Sequence, residues 1–252
     1  MSLAADANAI LMDIEGTTTS ISFVYDELFP YARTHVADFV EREWGKEPLM
    51  DAVESLRAQA DADHAAGLEG AVLIPAATAE SRDIQKAVVA SVLWQMDSDR
   101  KTTGLKMLQG QIWVDGYRIG QLKGHLYSDV KPALEVWKSL GKSLYIYSSG
   151  SVAAQKLLFG NSVEGDLTPL LSGYFDTTTG PKKESASYGA IAQAIGFPSD
   201  EVLFLTDNID EGRAADGAGF RVAMSVRPGN QELPSTHLAQ ITSFQDLIEG
   251  II

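Results

Sequence analysis

One stretch near the start of the chain constrains the fold most, because an apolar run there stops abruptly at an acid. Residues 9–12 are Ala, Ile, Leu and Met; Asp13 follows them, and then come Glu15, a glycine and three threonines. This pattern predicts a buried strand that ends in a turning loop. In an open α/β sheet, ligands bind beyond the carboxyl ends of the strands. Asp13 and Glu15 are therefore candidate site residues, and the alternative is that Asp13 only caps the turn.

The second half of the chain, from about residue 129, alternates apolar runs with segments of helical spacing. The predicted strands are 143–147, 174–177, 202–205 and 221–226, and the predicted helices are 132–140, 152–159, 185–195, 213–218 and 244–248. Such alternation implies right-handed crossovers and a mostly parallel sheet. Because the run 9–12 resembles the later strands, we expect it to join them. The predicted fold class is α/β, with a doubly wound, mostly parallel, Rossmann-like sheet.

The segment between these two parts has helical spacing and no convincing strand alternation. The predicted helices are 26–43, 48–62 and 81–96, with a less clear pattern over 107–119. This segment is therefore expected to be an insertion between the first strand and the rest of the sheet. The predicted domains are an α/β core made of residues 1–19 and 128–252 and a helical cap made of residues 20–127.

Charge and cysteine content exclude several classes of function. The 252 residues carry a formal net charge of −14, and such a surface repels nucleic acids and anionic membranes. It also repels phosphate esters, so a site for one needs local positive charge. The absence of cysteine excludes disulfides, thiolate metal sites and a cysteine nucleophile, and it fits a reducing compartment. Because no leader or long apolar segment is apparent, we expect a cytoplasmic protein. We also expect a monomer without an obligate partner.

Two more candidate sites follow predicted strands or precede predicted helices. Ser148 and Ser149 come directly after the strand 143–147, where hydroxyl and backbone N–H groups can bind an anion. The alternative is an ordinary serine cap of the next helix. Lys182 and Lys183 lie in a loop before the helix 185–195 and can supply the cation that a phosphate site in this acidic chain requires. The alternative for both lysines is full solvation at the surface.

A fourth motif follows the buried run 202–205. Asp207, Asn208, Asp210 and Glu211 supply oxygen ligands within five residues. Hard oxygen ligands at a strand end suit Mg²⁺, which takes one or two carboxylates and keeps several waters. The alternative is a charged turn with acids at the start of a helix, where they are also favoured.

The four motifs together, in the order carboxylate pair, hydroxyl, lysine and carboxylate cluster, resemble the haloacid-dehalogenase-like phosphohydrolases. The resemblance covers residues 11–18, the insertion as a helical cap, and the chain from 129 onward. It implies that Asp13 attacks phosphorus and that Glu15 acts as acid and base. It also implies one Mg²⁺ per subunit, held by the side chains of Asp13 and Asp207 and by the backbone carbonyl of Glu15, with Glu211 in support.

One departure narrows the resemblance, because most of that superfamily has aspartate where this chain has Glu15. The segments that resemble the acireductone synthases, bifunctional enolase-phosphatases of methionine salvage, are 13–18, 21–24, 28–32, 145–151, 155–160, 204–207 and 226–230. The resemblance implies that the substrate is 2,3-diketo-5-methylthiopentyl-1-phosphate, which is enolised and then dephosphorylated. It implies metal positions at Asp13, Glu15 and Asp207, and substrate positions at Ser148, Ser149 and Lys182. Lys182 is preferred over Lys183 on its spacing from the neighbouring motifs.

Several alternatives stay open at this level. The base for enolisation is Glu15 or a residue of the cap, and among the four histidines His125 is the one to test. The four motifs also fit a simple phosphatase or phosphomutase acting on another small metabolite. A receiver-like signalling module that only accepts phosphate on Asp13 is a third interpretation. Glu15 and the large insertion speak against that third interpretation.

Overall fold

The computed structural model describes residues 3–248, which form two compact units. One unit, called the core unit here, comprises residues up to 25 and from 123 onward, and the other, the helical unit, comprises residues 26–122. The sequence-based domain boundaries were 19/20 and 127/128. The residues between the two sets of boundaries, 20–25 and 123–127, pack with the core unit.

The core unit contains a six-stranded sheet in which every neighbouring pair of strands is parallel. Its strands are β1 (Ala9–Met12), β2 (Ser143–Tyr147), β3 (Gly173–Phe175), β4 (Val202–Thr206), β5 (Arg221–Ser225) and β6 (Ala239–Ile241), in the order β3-β2-β1-β4-β5-β6. Met12 pairs with Ile146 on one side and with Leu205 on the other, so β1, β2 and β4 end at the same level. The predicted α/β class is confirmed, and the first strand joins the later ones as expected; the structure adds that it lies between β2 and β4.

The helices of the described residues divide between the two units. They are α1 (Phe29–Glu43), α2 (Glu47–Ala65), α3 (Ser81–Asp97), α4 (Thr103–Arg118), α5 (Val130–Ser139), α6 (Val152–Gly160), α7 (Ser185–Ile195) and α8 (Ile209–Gly217). Helix α8 begins at Ile209 rather than at the predicted 213, because the side chain of Asn208 accepts hydrogen bonds from the N–H groups of Asp210 and Glu211. The predicted closing helix is a short 3₁₀ turn, Phe244–Leu247.

The helical unit has an apolar core formed by its four helices. A π-helical turn, Phe23–Leu28, precedes α1, and α4 extends through the segment whose pattern was unclear. Fully buried residues such as Val40, Leu56 and Val88 come from three different helices. Burial of such side chains stabilises the unit by roughly 1.5–3 kcal/mol each. Within residues 3–248, no helix combines the length and apolarity needed to cross a membrane.

Candidate active site

The sheet brings the first and last of the four motifs side by side. The backbone N–H of Asp13 donates to the carbonyl of Leu205 over 2.9 Å, so the pairing of β1 with β4 continues into the loop. The register therefore sets Asp13 beside Thr206, with Asp207 one residue further along. On the other side, Tyr147 is the neighbour of Asp13 and Ser148 follows it. Residues far apart in the sequence thus meet at the carboxyl edge of the sheet.

Asp13 is buried, and its carboxylate is held by several donors. Its Oδ1 accepts from the ammonium of Lys182 at 2.7 Å and from the backbone N–H of Ile14 at 2.8 Å. Its Oδ2 lies 3.3 Å from the hydroxyl of Thr206. These contacts fix the orientation of the carboxylate relative to the strand end. An anionic oxygen held in this way is suited to act as a nucleophile toward a bound phosphoryl group.

Lys182 is a buried cation between two carboxylates. Its Nζ is 2.7 Å from Asp13 and 2.7 Å from Glu211, and its side chain is 8% exposed. Burial by itself would lower the pKa of Lys182, but the charges of Asp13 and Glu211 hold this pKa above its ordinary value. Lys183, whose side chain is 63% exposed, instead pairs with the exposed Asp210. The fold therefore brings only the first of the two adjacent lysines to Asp13.

Two tyrosines that the sequence analysis did not single out hold the loop that carries Lys182. The hydroxyl of Tyr147 donates to the carbonyl of Gly180 at 2.8 Å, and the hydroxyl of Tyr188 donates to the carbonyl of Lys182 at 2.7 Å. The ammonium of Lys182 also lies 5.5 Å from the centre of the Tyr147 ring. Tyr147 ends a predicted strand, but nothing in the local pattern indicates what its hydroxyl contacts.

Glu211 lies in the first turn of α8 and points back toward the strand end. Besides its contact with Lys182, its Oε2 accepts a hydrogen bond from the hydroxyl of Thr206 at 3.1 Å. Burial and the nearby charge of Asp13 raise the pKa of Glu211, against the opposing effect of Lys182. The direction follows from the charges, since one ammonium cannot neutralise two buried carboxylates. Glu211 therefore orients Lys182 rather than facing solvent.

Asp207 approaches the loop after β1 so closely that only glycine fits there. Gly16 has φ = +68°, which is the left-handed region, and a Cβ on it would lie 2.5 Å from the Cγ of Asp207. Burial, and then the charge of Asp13, raise the pKa of Asp207 to about 7, and the charge of Glu15 contributes in the same direction. The carboxyl group of Asp207 is thus close enough to those of Asp13 and Glu15 to be repelled by both.

The loop after β2 carries the predicted substrate residues Ser148 and Ser149. Ser148 is buried, and its hydroxyl oxygen accepts from the N–H of Gly150 at 3.1 Å. Ser151 caps α6 through its hydroxyl, so the capping alternative applies to Ser151 rather than to Ser148 or Ser149. The amide of Gln155, which the sequence analysis missed, donates to the carbonyls of Gly150 and Phe175 at 2.8 Å each. No local signal singles out Gln155, since Lys156 beside it is also polar.

His125 lies against the loop that carries Glu15. Its Nδ1 is 2.9 Å from the hydroxyl of Thr19 and accepts from the backbone N–H of Ser20 at 3.2 Å. Thr19 in turn accepts, through its carbonyl, from the N–H of Gly16. Because Nδ1 accepts from a backbone N–H, the neutral ring carries its proton on Nε2. His125 therefore supports the end of this loop through Thr19 and Ser20.

The charges at this edge of the sheet fit a divalent cation. Lys182 contacts two of the acids, Asp13 and Glu211, whereas Asp13, Glu15, Asp207 and Glu211 together supply four carboxyl groups. No three Asp, Glu or His side chains among residues 3–248 form a complete metal cluster. Mg²⁺ does not need one, because it takes one or two carboxylates, other oxygens and waters. The sequence-based prediction names the carboxylates of Asp13 and Asp207 and the carbonyl of Glu15 as these donors, and all three residues follow β1 or β4 at this edge.

This fold and this arrangement of acids and lysine define a class of protein. The family model described as haloacid dehalogenase-like hydrolase matches residues 7–219. The crystal structure of the UTR4 protein from Saccharomyces cerevisiae is similar, with a TM-score of 0.74 and 34% identity over 95% of this chain and 99% of that one. The protein is a haloacid dehalogenase-like hydrolase.

Sequence relatives narrow the class. The enolase-phosphatase E1 of Anopheles gambiae is 49% identical over 96% of this chain and 82% of its own length. That of Aedes aegypti is 50% identical over 97% of this chain, which spans 22% of the length of that relative. Within the hydrolases, the chain belongs to the enolase-phosphatase E1 family. The family prediction made from the sequence is confirmed.

Proposed function

We propose that this protein is a Mg²⁺-dependent enolase-phosphatase, an acireductone synthase of methionine salvage. Its substrate is 2,3-diketo-5-methylthiopentyl-1-phosphate, and its products are the acireductone and phosphate. The observation that carries the proposal is the buried contact of Lys182 with Asp13 and Glu211 at the ends of β1 and β4, in a chain of this family. The helical unit, residues 26–122, serves as the cap domain of the core.

The phosphatase half of the reaction follows from the residues at the strand ends. The carboxylate of Asp13 attacks phosphorus, the bond from phosphorus to the substrate oxygen breaks, and an aspartyl-phosphate forms. Glu15 in its protonated form gives its proton to the leaving oxygen and is then the base that activates the hydrolytic water. Attack of that water breaks the bond from Asp13 to phosphorus and releases phosphate. Lys182, with Ser148 and Ser149, binds the phosphoryl oxygens as negative charge develops.

Mg²⁺ fits the donor set described above. The carboxylates of Asp13 and Asp207 and the backbone carbonyl of Glu15 would hold it, and Glu211 would support its waters. When bound, it supplies the positive charge that lets an anionic carboxylate and an anionic phosphate approach each other. The burial of Asp207 beside Asp13 supports this assignment, because a second cation relieves the repulsion that raises its pKa.

The sequence left the enolisation base open between Glu15 and a residue of the cap, with His125 as the histidine to test; of Glu15 and His125, Glu15 is the better base. Enolisation removes a proton from carbon and adds one to the neighbouring carbonyl oxygen. In the neutral ring of His125, Nδ1 already accepts from Ser20 and Nε2 carries the proton, so neither nitrogen is available as a base. Glu15 lies in the loop directly after Asp13 and interacts with Asp207 at the sheet edge. We therefore assign the proton abstraction to Glu15.

We further propose a cytoplasmic location and a monomeric state. The absence of cysteine among 252 residues fits a reducing compartment, and a net charge of −14 disfavours association with nucleic acids or anionic membranes. The small phosphorylated substrate is then the principal partner.

The test is incubation with the diketo phosphate while ultraviolet absorbance of the enol and free phosphate are followed together. We expect the enol signal to appear with or before phosphate. Phosphate release without an enol signal would identify a simple phosphatase. A stable phosphoprotein without turnover would identify a phosphate-accepting signalling module. Neither signal with this substrate, together with turnover of another phosphate ester, would refute the proposed substrate.

A further inference from the structure

The segment that follows β5, residues 226–230, contacts the loop after β1 without contributing a reacting group. Its last residue, Asn230, donates from Nδ2 to the carbonyl of Gly16 at 2.8 Å and to the carbonyl of Ser225 at 3.1 Å. The first contact crosses from β5 to the loop that carries the nucleophile, and the second fixes the amide relative to the end of β5. Asn230 thus links the loop after β1 to the end of β5 by hydrogen bonds.

Arg227 makes a second contact with the same loop. Its guanidinium donates from Nε to the carbonyl of Thr17 at 3.3 Å, and its Nη1 forms an ion pair with Asp129 at 2.8 Å. The side chain is 4% exposed. It lies over the rings of Tyr127 and Phe244, with its Cζ 4.5 Å and 4.9 Å from the ring centres. A planar cation that is packed and paired in this way loses little further freedom when it forms the hydrogen bond to the loop.

These two contacts add to the backbone hydrogen bonds of the turn, in which the N–H of Gly16 donates to the carbonyl of Thr19 and the N–H of Thr17 donates to that of Ile14. Gly16 is in the left-handed region, and a glycine has no side chain to limit its φ and ψ angles. The carbonyls of Gly16 and Thr17 bound by Asn230 and Arg227 belong to the two peptide groups that follow this glycine. Holding them fixes the turn, and with it the Glu15 carbonyl on one side of Gly16. Asp13 lies two residues before Glu15 in the same loop.

We propose that Arg227 and Asn230 are positioning residues for catalysis, which hold the Gly16–Thr17 turn so that Asp13 and the Glu15 carbonyl face one Mg²⁺ ion. The inference rests on the proposed function of Asp13. It gives a role to the motif 226–230, which the phosphoryl chemistry leaves unused.

The experiment compares two variants with two matched controls. Asn230→Ala removes the amide that donates to the carbonyl of Gly16. Arg227→Lys keeps a positive charge near Asp129 but removes the guanidinium N–H that donates to the carbonyl of Thr17. The controls make similar contacts away from the site. Asn161→Ala removes an amide that donates to the carbonyl of Leu157, and Arg221→Lys alters an arginine that bonds the carbonyl of Asp200 and pairs with Asp6.

Mg²⁺ binding is measured by calorimetry on each protein without substrate, together with Tm, kcat and KM. Loss of a residue that orients metal ligands typically lowers metal affinity or activity ~10- to 100-fold. We expect that loss in Mg²⁺ affinity and in kcat for Asn230→Ala and Arg227→Lys, with KM nearly unchanged. Both controls should bind Mg²⁺ as the wild type does.

Unchanged Mg²⁺ affinity and kcat in both Asn230→Ala and Arg227→Lys would overturn the inference. So would a loss of Mg²⁺ affinity in the controls as large as in the variants. If Asn230→Ala and Arg227→Lys both failed to fold, the segment would be a general folding element and the inference would again be wrong. A wild-type protein that binds Mg²⁺ but does not turn over the diketo phosphate would instead count against the proposed function.

Discussion

Replacement of Lys182 by methionine, compared with the same replacement of Lys183, tests the site most directly. The two lysines are adjacent and chemically identical, but Lys182 is buried between Asp13 and Glu211 and Lys183 is exposed beside Asp210. Methionine keeps the length and apolar character of the side chain and removes the charge. Any difference between the two variants therefore reports the environment of the ammonium group.

The magnitude follows from the burial of Lys182. Removing one partner of a buried ion pair typically costs about 3–5 kcal/mol, because the remaining charge is left without compensation. We expect the lower end of that range, because the pKa of Glu211 is already raised and this carboxyl group can take up a proton when Lys182 is lost. A loss of about 3 kcal/mol corresponds to a fall in Tm of roughly 6–12 °C for a domain of this size.

The assay measures Tm by calorimetry and kcat for phosphate release at saturating Mg²⁺. We expect kcat of Lys182→Met to fall by about 10²- to 10³-fold, as for loss of a group that stabilises charge in the transition state. Lys183→Met should retain the wild-type kcat and Tm, since exposed ion pairs contribute little. A Lys182→Met protein with kcat within about 10-fold of wild type would refute this role of the ammonium. Equal losses in the two variants would refute it as well.

Three further predictions concern the nucleophile, the acid and base, and the metal. Asp13→Asn should abolish phosphate release with any substrate, because the amide is not a nucleophile. Glu15→Gln should slow hydrolysis of the aspartyl-phosphate, so that ³²P-labelled protein accumulates after rapid quench, and it should also suppress the enol signal. Removal of divalent ions with EDTA should stop phosphate release, and added Mg²⁺ should restore it, as a coupled phosphate assay would report.

Each of these predictions has an outcome that contradicts it. Continued turnover by Asp13→Asn would show that another residue attacks phosphorus. If Glu15→Gln yielded no labelled protein but normal enol formation, the assignment of both roles to Glu15 would fail. Activity that survives exhaustive chelation would exclude the proposed metal dependence. Asp210→Asn is a suitable control for both acid variants, because Asp210 is an exposed acid that pairs with Lys183.

The bounds of a strand or helix were predicted correctly where the residues of that segment alone determine them. Strand 143–147 and helix 185–195 have the same bounds in the structure as in the prediction, because each has a continuous pattern between polar or glycine signals. Strand β6 was missed, since it is only three residues long and two of them are exposed. The start of α8 was placed late because the capping role of Asn208 was not recognised.

The sequence by itself determined the chemistry available at the sheet edge. The apolar runs that end at Asp13 and Thr206 predict strands, and the acids and serines that follow must lie beyond those strands in a parallel sheet. The unusual Glu15 and the surrounding motifs were enough to indicate the family. These features are local, because an apolar run, its length and the residue that ends it are read within about ten positions.

Only the tertiary structure decided which residues act together. Lys182 contacts Asp13 across 169 positions, and Asn230 contacts Gly16 across 214. The same holds for the tyrosine hydroxyls that secure the Lys182 loop. No periodicity encodes such pairs, since they depend on the order of strands in the sheet and on the paths of the loops between them. The sequence supplied the charged groups, and the packing of the sheet decided which of them became buried partners.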